Sequence, residues 1–421
     1  MFKTLMSEVH DWAHFSPKSY LNWSAALTEE IISNLPPAWQ KQIGWKLLNT
    51  TANVCRHLTN CYPQPDFDIT LITDGQGESV AVEEVIIPET DFDFGQLLHF
   101  KTSRKSLPCL VLITAKSGHF ATLMRETVVT ALQDFDVYVA VWKDPRHIEV
   151  DKGDFGFSDY VIYCERFFEY LGQKGDTHVM AVCQPGPAVL AALARMAEAE
   201  SPYLPKTFTV MAAPMDTRAC SSAISGVTKF PLAVFEQACI HPVPTGYRGV
   251  GRRVYPGHLQ LTGFILANPL PHGKKLVQYI TAHWKGDVEA GVKIIEFYEE
   301  YFALMPATES FYLETVDIVF LNHHLPRGIL DIKNRRVNLG ALTDIDILAM
   351  AGSKDDFCPG PQTEAILQLC ENVPEPRKQY RLIEDVGHYG MFSGSKFTNE
   401  IYPAIRDFIY QATKQSRVLP R

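Results

Sequence analysis

The sequence predicts an α/β protein in which helices cover both faces of a mostly parallel β-sheet. From residue 107 to residue 213, short aliphatic and β-branched runs alternate with helix-length segments, as a buried parallel sheet requires. The alternation stops over residues 217–339 and resumes at DILAMAG (346–352). We therefore expect one sheet that is interrupted by a large insertion.

The predicted elements follow from local patterns taken in chain order. The first sixty residues should be helical, because apolar residues recur there at spacings of four or seven, namely Trp39, Ile43, Leu47, Val54 and Leu58. A strand pair, 68–73 and 79–87, is predicted around the turn residues 74–77. Strands are then expected at 110–114, 137–142, 178–183 and 207–213, and helices at 119–134, 158–172 and 187–199. After the insertion we expect strands at 346–352 and 378–383 and helices at 361–372 and 395–413.

These elements predict three parts of the chain. Residues 1–66 form an N-terminal helical extension, and residues 67–216 together with 340–421 form the α/β core. Residues 217–339 contain Pro-rich loops and aromatic-rich helical segments. We expect that region to be a mainly helical cap, or lid, inserted before the strand that precedes Asp355.

Composition excludes several classes of protein. Among 421 residues, 39 Lys and Arg face 48 Asp and Glu, for a net charge of −9, and no basic block suggests a nucleic-acid partner. The nine cysteines are odd in number and include no CxxC pair, so most should be reduced and no metal site is predicted. The N-terminus lacks a secretory signal pattern, and no segment reaches the roughly 18–20 apolar residues of a membrane helix. A cytoplasmic protein without integral membrane association is expected.

The segment HVMAVCQPGP has the form of a nucleophile elbow. An apolar strand runs into Cys183, small residues stand two positions away at Ala181 and Pro185, and a small-residue helix follows. A thiol at such a helix start is favoured as a thiolate. The alternative is that Cys183 is a buried small hydrophobe. No GxSxG sequence offers a serine in its place.

Two later segments supply partners for this thiol. Asp355 follows the strand DILAMAG, and His388 lies in a Gly-flanked loop after the strand KQYRLI. The order of nucleophile, acid and histidine, each after its own strand, is the order of α/β-hydrolases. The alternatives are that Asp355 is a turn or capping residue, that Asp356 takes its role, and that His388 is a surface histidine.

An oxyanion hole is also predicted, because acyl transfer needs donors for the developing charge. The expected backbone N–H donors are those of Gln184, directly after the nucleophile, and of Ser117, Gly118 or His119, after the strand LVLIT. The alternative is that residues 117–119 only cap a helix.

Several segments resemble the intracellular poly(3-hydroxybutyrate), or polyhydroxyalkanoate, depolymerases. They are SGHFATLMRETV (117–128), HVMAVCQPGPAVLAAL (178–193), LTGFILANP (261–269), FYEEYFALM (297–305), FYLETVDIVFLNHHLPRG (311–328), AGSKDDFCPGPQT (351–363) and DVGHYGMFSGSKF (385–397). The resemblance covers nearly the whole chain, and it implies an α/β-hydrolase that uses a cysteine to cleave storage polyester. Carried over by position, it assigns the catalytic triad to Cys183, Asp355 and His388. The run GPAV after Pro185 departs from the hydroxyl residue expected in relatives.

The resemblance implies a cytoplasmic enzyme at polyhydroxyalkanoate granules that forms a thioester and passes the acyl group to water. No cofactor is expected, and coenzyme A stays open as an alternative acceptor, as does self-association of the chain. Cap aromatics such as Phe264, Trp284 and Phe302 are candidate substrate contacts. The rival functions are a polyhydroxyalkanoate synthase-like acyltransferase, which a Gly-x-Cys-x-Gly box would mark, and a catalytically silent granule scaffold.

Overall fold

The computed structural model describes residues 63–257, 259–260, 278, 281, 285, 300 and 302–418. The chain divides into two compact units, residues 66–267 with 305–421 and residues 1–65 with 268–304. The sheet and the site described below belong to the first unit. The predicted N-terminal helices fall outside the described residues, and the predicted domain boundaries stay predictions.

A nine-stranded sheet forms the centre of this unit. Its strands are β1 (Leu71–Thr73), β2 (Ser79–Ile86), β3 (Gly95–Thr102), β4 (Cys109–Ile113), β5 (Asp136–Trp142), β6 (Thr177–Val182), β7 (Thr207–Met211), β8 (Asp346–Gly352) and β9 (Lys378–Ile383). They lie in the order β1-β2-β3-β5-β4-β6-β7-β8-β9. Neighbouring strands are antiparallel in the part β1-β2-β3-β5 and parallel in the part β5-β4-β6-β7-β8-β9. The predicted α/β-hydrolase fold with a mostly parallel sheet is confirmed.

Helices and short turns connect these strands. The α-helices whose full extent is described are α1 (Arg125–Ala131), α2 (Phe157–Gly172), α3 (Gly186–Glu198), α4 (Leu232–Cys239), α5 (Glu309–Thr315), α6 (Gly360–Glu364), α7 (Ile366–Leu369), α8 (Gly394–Lys396) and α9 (Tyr402–Val418). Two π-helical turns, Val316–Leu321 and Phe397–Ile401, continue α5 and precede α9. The 3-10 turns are Pro88–Thr90, Ala121–Met124, Pro145–His147, Val150–Lys152, Ser225–Lys229, Leu339–Ala341, Glu375–Arg377 and His388–Met391.

The alternation of side chains in β5 shows how both sheet faces are covered. Val137, Val139 and Val141 join one apolar cluster with residues of α1 and α9. Trp142, the residue after Val141, points to the other face, where its ring stacks on Tyr160 of α2 at 4.2 Å. Because successive strand residues face opposite sides, the helices lie on both faces and the parallel strands are buried.

The inserted segment, defined here as residues 212–345 between β7 and β8, is less regular. Its described part holds α4, α5, an antiparallel three-stranded sheet and a hairpin. The sheet joins His241–Pro242, Arg253–Tyr255 and Ala307–Thr308, and the hairpin joins Asp331–Ile332 to Arg335–Arg336. None of the helices among the described residues is long and apolar enough to cross a membrane.

Candidate active site

Cys183 occupies a strained turn between β6 and α3. Its φ of +68° lies in the left-handed region, which costs a non-glycine residue roughly 1–2 kcal/mol. Its backbone N–H donates to Met211 O of β7 at 2.9 Å, so the turn begins directly at the sheet ladder. β6 is buried along its whole length, whereas Cys183 itself is half-buried. The strain therefore lifts this one side chain out of the sheet.

Small residues are required where α3 begins. A Cβ on Gly186 would lie 2.7 Å from Ala213 Cβ and 2.8 Å from Met215 Sδ. Pro185 is the N-cap of the helix, and Pro187, at its second position, has no backbone N–H that needs an acceptor. The close packing explains the glycine at position 186, and the missing N–H explains why a proline is tolerated in the first turn.

Asp355 and His388 form a hydrogen-bonded pair from two neighbouring loops. His388 Nδ1 lies 2.8 Å from Asp355 Oδ2, and the carboxylate is fully buried. Asp355 Oδ1 accepts backbone N–H bonds from Phe357 and Cys358, both at 2.9 Å. Hydrogen bonds therefore satisfy both oxygens of the buried carboxylate, and Nε2 of His388 is left for another partner.

The loops that carry this pair are fixed against each other. Lys354 N donates to Val386 O at 2.9 Å, and Asp385 N donates to Ser353 Oγ at the same distance. A Cβ on Gly352, the last residue of β8, would lie 2.3 Å from Val386 O. The close approach of the two loops depends on that glycine.

Cys358 and His388 lie close enough to the Cys183 thiol to shift its pKa through hydrogen bonds. The S–H of Cys358 is the main cause that holds the pKa of Cys183 well below its usual value of 9.0; burial opposes this effect, and the charge of His388 adds to it. Burial disfavours a charged His388, but Cys183 and Asp355 outweigh it and raise the pKa of His388 to about 10. A thiolate and an imidazolium are therefore favoured together at neutral pH.

The predicted oxyanion donors Ser117, Gly118 and His119 belong to a loop, residues 115–119, that lies beside this pair. Ser117, His119 and Gln184 line the same cavity as Cys183. Gln184 Oε1 accepts the backbone N–H of Lys116 at 2.8 Å and thereby ties the loop to the residue after the thiol. The side chain of Lys116 is buried, and burial, partly offset by Asp144, lowers its pKa to about 8.

The inserted segment holds the other side of this loop. Gly118 has a φ of +105°, and a Cβ there would lie 2.9 Å from Gln260 Oε1. Met305 N donates to Gly118 O at 2.8 Å. Sequence reasoning missed Gln260 and Met305, since no local pattern indicates a contact with a loop so distant in the chain.

A mostly apolar cavity of about 360 Å³ opens over Cys183 and His388. Its apolar side chains include Phe120, Leu123, Phe311, Val316, Phe320 and Phe392. Tyr255 and Tyr312, whose rings stack at 3.8 Å, also line it. Such a lining suits an uncharged, apolar ligand. Among the described residues, no cluster of His, Cys, Asp and Glu is arranged to hold a metal ion.

The structure thus brings Cys183, Asp355 and His388 together and sets Gln184 and the 117–119 loop next to them. Of the aromatic candidates, Phe302 is buried and is not among the described residues that line the cavity. Phe264 and Trp284 lie outside the described residues. Sequence reasoning did not single out Cys358, although it lies only three residues after Asp355.

Three features together define this protein as an α/β-hydrolase. They are the strand order of the sheet, the strained turn at Cys183, and the two neighbouring loops that carry Asp355 and His388. Residues 212–413 match the family model described as PHB de-polymerase C-terminus. This match over residues 212–413 supports the predicted poly(3-hydroxybutyrate) depolymerase family. Fold and family together support an ester hydrolase.

The chain is also similar to solved structures of hydrolases. They include a putative lipase from Acinetobacter baumannii AYE, with 12% identity over 79% of this chain and 93% of that chain and a TM-score of 0.44. A 2-hydroxy-6-oxo-6-phenylhexa-2,4-dienoate hydrolase from Rhodococcus sp. strain RHA1 has 12% identity over 80% and 99%, with a TM-score of 0.43. A thermophilic esterase from Thermogutta terrifontis has 14% identity over 78% and 99%, with a TM-score of 0.42. No curated protein sequence gives a significant match.

Proposed function

We propose that this protein hydrolyses the ester bonds of poly(3-hydroxybutyrate) and releases 3-hydroxybutyrate and its oligomers. One observation carries the proposal: a half-buried thiol lines the same apolar cavity as the histidine of a hydrogen-bonded His–Asp pair, in a chain whose residues 212–413 match a depolymerase domain. An uncharged polyester needs apolar contact and a nucleophile, and this site supplies both.

In the first half of the reaction the Cys183 thiolate attacks the ester carbonyl. The negative charge that develops on the carbonyl oxygen is stabilised by the backbone N–H of Gln184 and by one from residues 117–119. As the C–O bond breaks, protonated His388 gives its Nε2 proton to the departing hydroxyl end of the polymer. The product is a thioester on Cys183.

In the second half His388 acts as a base. Formation of the thioester removes the thiolate charge, one of the causes that raise the pKa of His388, whereas burial continues to lower it. The neutral imidazole can then take a proton from water, which attacks the thioester and frees Cys183. A thiol such as coenzyme A is an alternative acceptor at this step, and it would release an acyl-CoA.

The proposal places the reaction at the surface of cytoplasmic polyester granules. Two apolar side chains close to the cavity support docking there. Phe230 is 52% exposed and Val234, on α4, is 42% exposed. Ile224 and Gly226, which come shortly before them in the chain, line the cavity. An insoluble, uncharged surface offers apolar contact rather than ion pairs.

The test is incubation of the purified full chain with amorphous poly(3-hydroxybutyrate) granules, with and without coenzyme A. We expect the turbidity to fall and 3-hydroxybutyrate products to appear, and we expect Cys183→Ala to abolish both while Cys370→Ala, at a buried thiol outside the cavity, does not. Acyl-CoA formed only with coenzyme A would make the protein a thiol acyltransferase. Polymer made from 3-hydroxybutyryl-CoA would indicate a synthase, and granule binding without any product would indicate a scaffold.

A further inference from the structure

Two thiols meet in the cavity. Cys183 and Cys358 both line it, and their thiols lie near enough to shift each other's pKa through a hydrogen bond, downward for Cys183 and upward for Cys358. Cys358 is buried, and its backbone N–H is held by Asp355 Oδ1 at 2.9 Å. Each cysteine therefore sits on a turn that its own backbone hydrogen bonds fix, and only Cys183 forms a covalent bond in the proposed ester chemistry.

We propose that Cys183 and Cys358 form an oxidisable dithiol site that takes a small hydroperoxide and closes to a disulfide. The inference concerns the thiols themselves and does not depend on ester hydrolysis. A disulfide needs an S–S bond of about 2.0 Å, so the hydrogen-bonded sulfurs must move toward each other as it forms.

The first step oxidises Cys183. Its thiolate attacks one oxygen of the hydroperoxide and the O–O bond breaks, which leaves a sulfenic acid on Cys183. The other oxygen departs as water or an alcohol after taking a proton from His388. Sulfur loses two electrons and the peroxide gains them.

The second step joins the two residues. The Cys358 sulfur attacks the sulfenic sulfur, the S–O bond breaks, and the hydroxyl group leaves as water with the proton of the Cys358 thiol. One disulfide is formed, and no further oxidant is consumed.

The first step prepares Cys358 for the second. While Cys183 is a thiolate, the hydrogen bond to it, burial and the Cys183 charge all raise the pKa of the Cys358 thiol well above 9.0. Conversion of Cys183 to a neutral sulfenic acid removes that charge and replaces an anionic hydrogen-bond acceptor by a weaker, neutral one. Cys358 then becomes a better nucleophile at the moment when an electrophilic sulfur lies beside it.

The test uses the reduced, full-length protein exposed to hydrogen peroxide, blocked with N-ethylmaleimide and analysed by peptide mass mapping. We expect a peptide pair linked through Cys183 and Cys358, with the loss of two hydrogen atoms, and full recovery of both thiols with dithiothreitol. In Cys358→Ser the expected product is a dimedone-reactive sulfenic acid on Cys183, which further peroxide converts to a form that dithiothreitol does not restore.

Cys370→Ser is the matched control, because Cys370 is also a buried, free thiol but does not line the cavity. It should form the same linked peptide as the wild type. Wild-type protein that accumulates oxygen on Cys183 without any linked peptide, or that leaves Cys183 unoxidised, would overturn the inference. This readout needs neither the Cys358 variant nor ester turnover, so its failure is distinct from failure of the proposed function.

Discussion

The two walls of the cavity are built in different ways. Cys183 directly follows β6, and Asp355 comes shortly after β8. Both strands are buried along their whole lengths. The facing wall comes from the inserted segment, where strands are two or three residues long. All eight residues of α4 are described, and none of them is buried. The contrast teaches that the sheet fixes reactive groups, while the less tightly packed segment supplies apolar contact.

The largest effect should come from the sheet wall. Asp355→Asn removes the charge that orients and supports protonated His388, and we expect ester turnover to fall about 10⁴-fold. The measurement is kcat on a soluble p-nitrophenyl ester. Asp356→Asn is the matched control, since it alters the adjacent aspartate and should change kcat little. Equal losses in the two variants would contradict the assignment of Asp355.

The thiolate gives a second test of the same wall. In the wild type the lowered pKa of Cys183 keeps its thiolate populated at neutral pH, and alkylation by iodoacetamide should slow only as pH falls through that lowered pKa. His388→Ala removes one stabilising charge, so the pKa should rise and alkylation at pH 7 should slow by about tenfold or more. The exposed His147→Ala should leave the pH profile unchanged. An identical profile in His388→Ala would refute the ion pair.

Packing behind the elbow gives the next largest effect. Gly186→Ala places a Cβ 2.7 Å from Ala213 Cβ, and such overpacking should lower the free energy of unfolding by about 1–3 kcal/mol. Urea denaturation measures it. Gly75→Ala is the control, because its Cβ would make only an ordinary contact of 3.8 Å. Equal free energies of unfolding in the two variants would mean that the backbone at the start of α3 shifts at little cost to accommodate the added Cβ.

The oxyanion loop, residues 115–119, contacts both walls of the cavity. Loosening this loop should lower kcat less than the loss of the Asp355 charge does. Gln184→Ala removes the acceptor of the Lys116 N–H, and we expect kcat to fall about tenfold with little change in KM. Gln184→Glu keeps an acceptor oxygen and should recover most of the rate. A change confined to KM would show that Gln184 contacts substrate rather than positions the loop.

The smallest effect belongs to the inserted segment. Replacing both Phe230 and Val234 by serine should weaken binding to polyester granules by about three- to tenfold, with kcat on a soluble ester unchanged. Co-sedimentation measures the binding. Leu382→Ser, at a 45% exposed leucine of β9, is the matched control. Equal loss in the control would mean that granule contact is not localised to α4 and its approach.

The same division governs what the sequence could predict. The bounds predicted for the buried strands β6 and β8 agree with the structure to within a residue, because continuous apolar runs mark these strands. Strand β3 was missed, since its partly exposed residues form no such run. Predicted helix 361–372 is two short helices, α6 and α7, and predicted helix 119–134 is a 3-10 turn followed by α1.

Within the site, each residue that follows a recognisable strand could be predicted. Cys183, Asp355 and His388 each follow one, and the structure brings them together. Contacts made by Gln260, Met305 and Cys358 could not be predicted, because they depend on how distant segments meet. These contacts use an amide, a backbone N–H and a thiol, and no repeating pattern in the neighbouring sequence marks any of the three.

The place of the inserted segment also bears on how the chain folds. β7 and β8 are hydrogen-bonded neighbours, yet residues 212–345 separate them. Closing a longer loop adds little to the equilibrium cost, about 0.6 kcal/mol for each doubling, but pairing between distant segments slows folding. We expect β8 and β9 to dock late, and they bring Asp355 and His388 with them. During refolding, recovery of activity should therefore lag behind recovery of secondary structure.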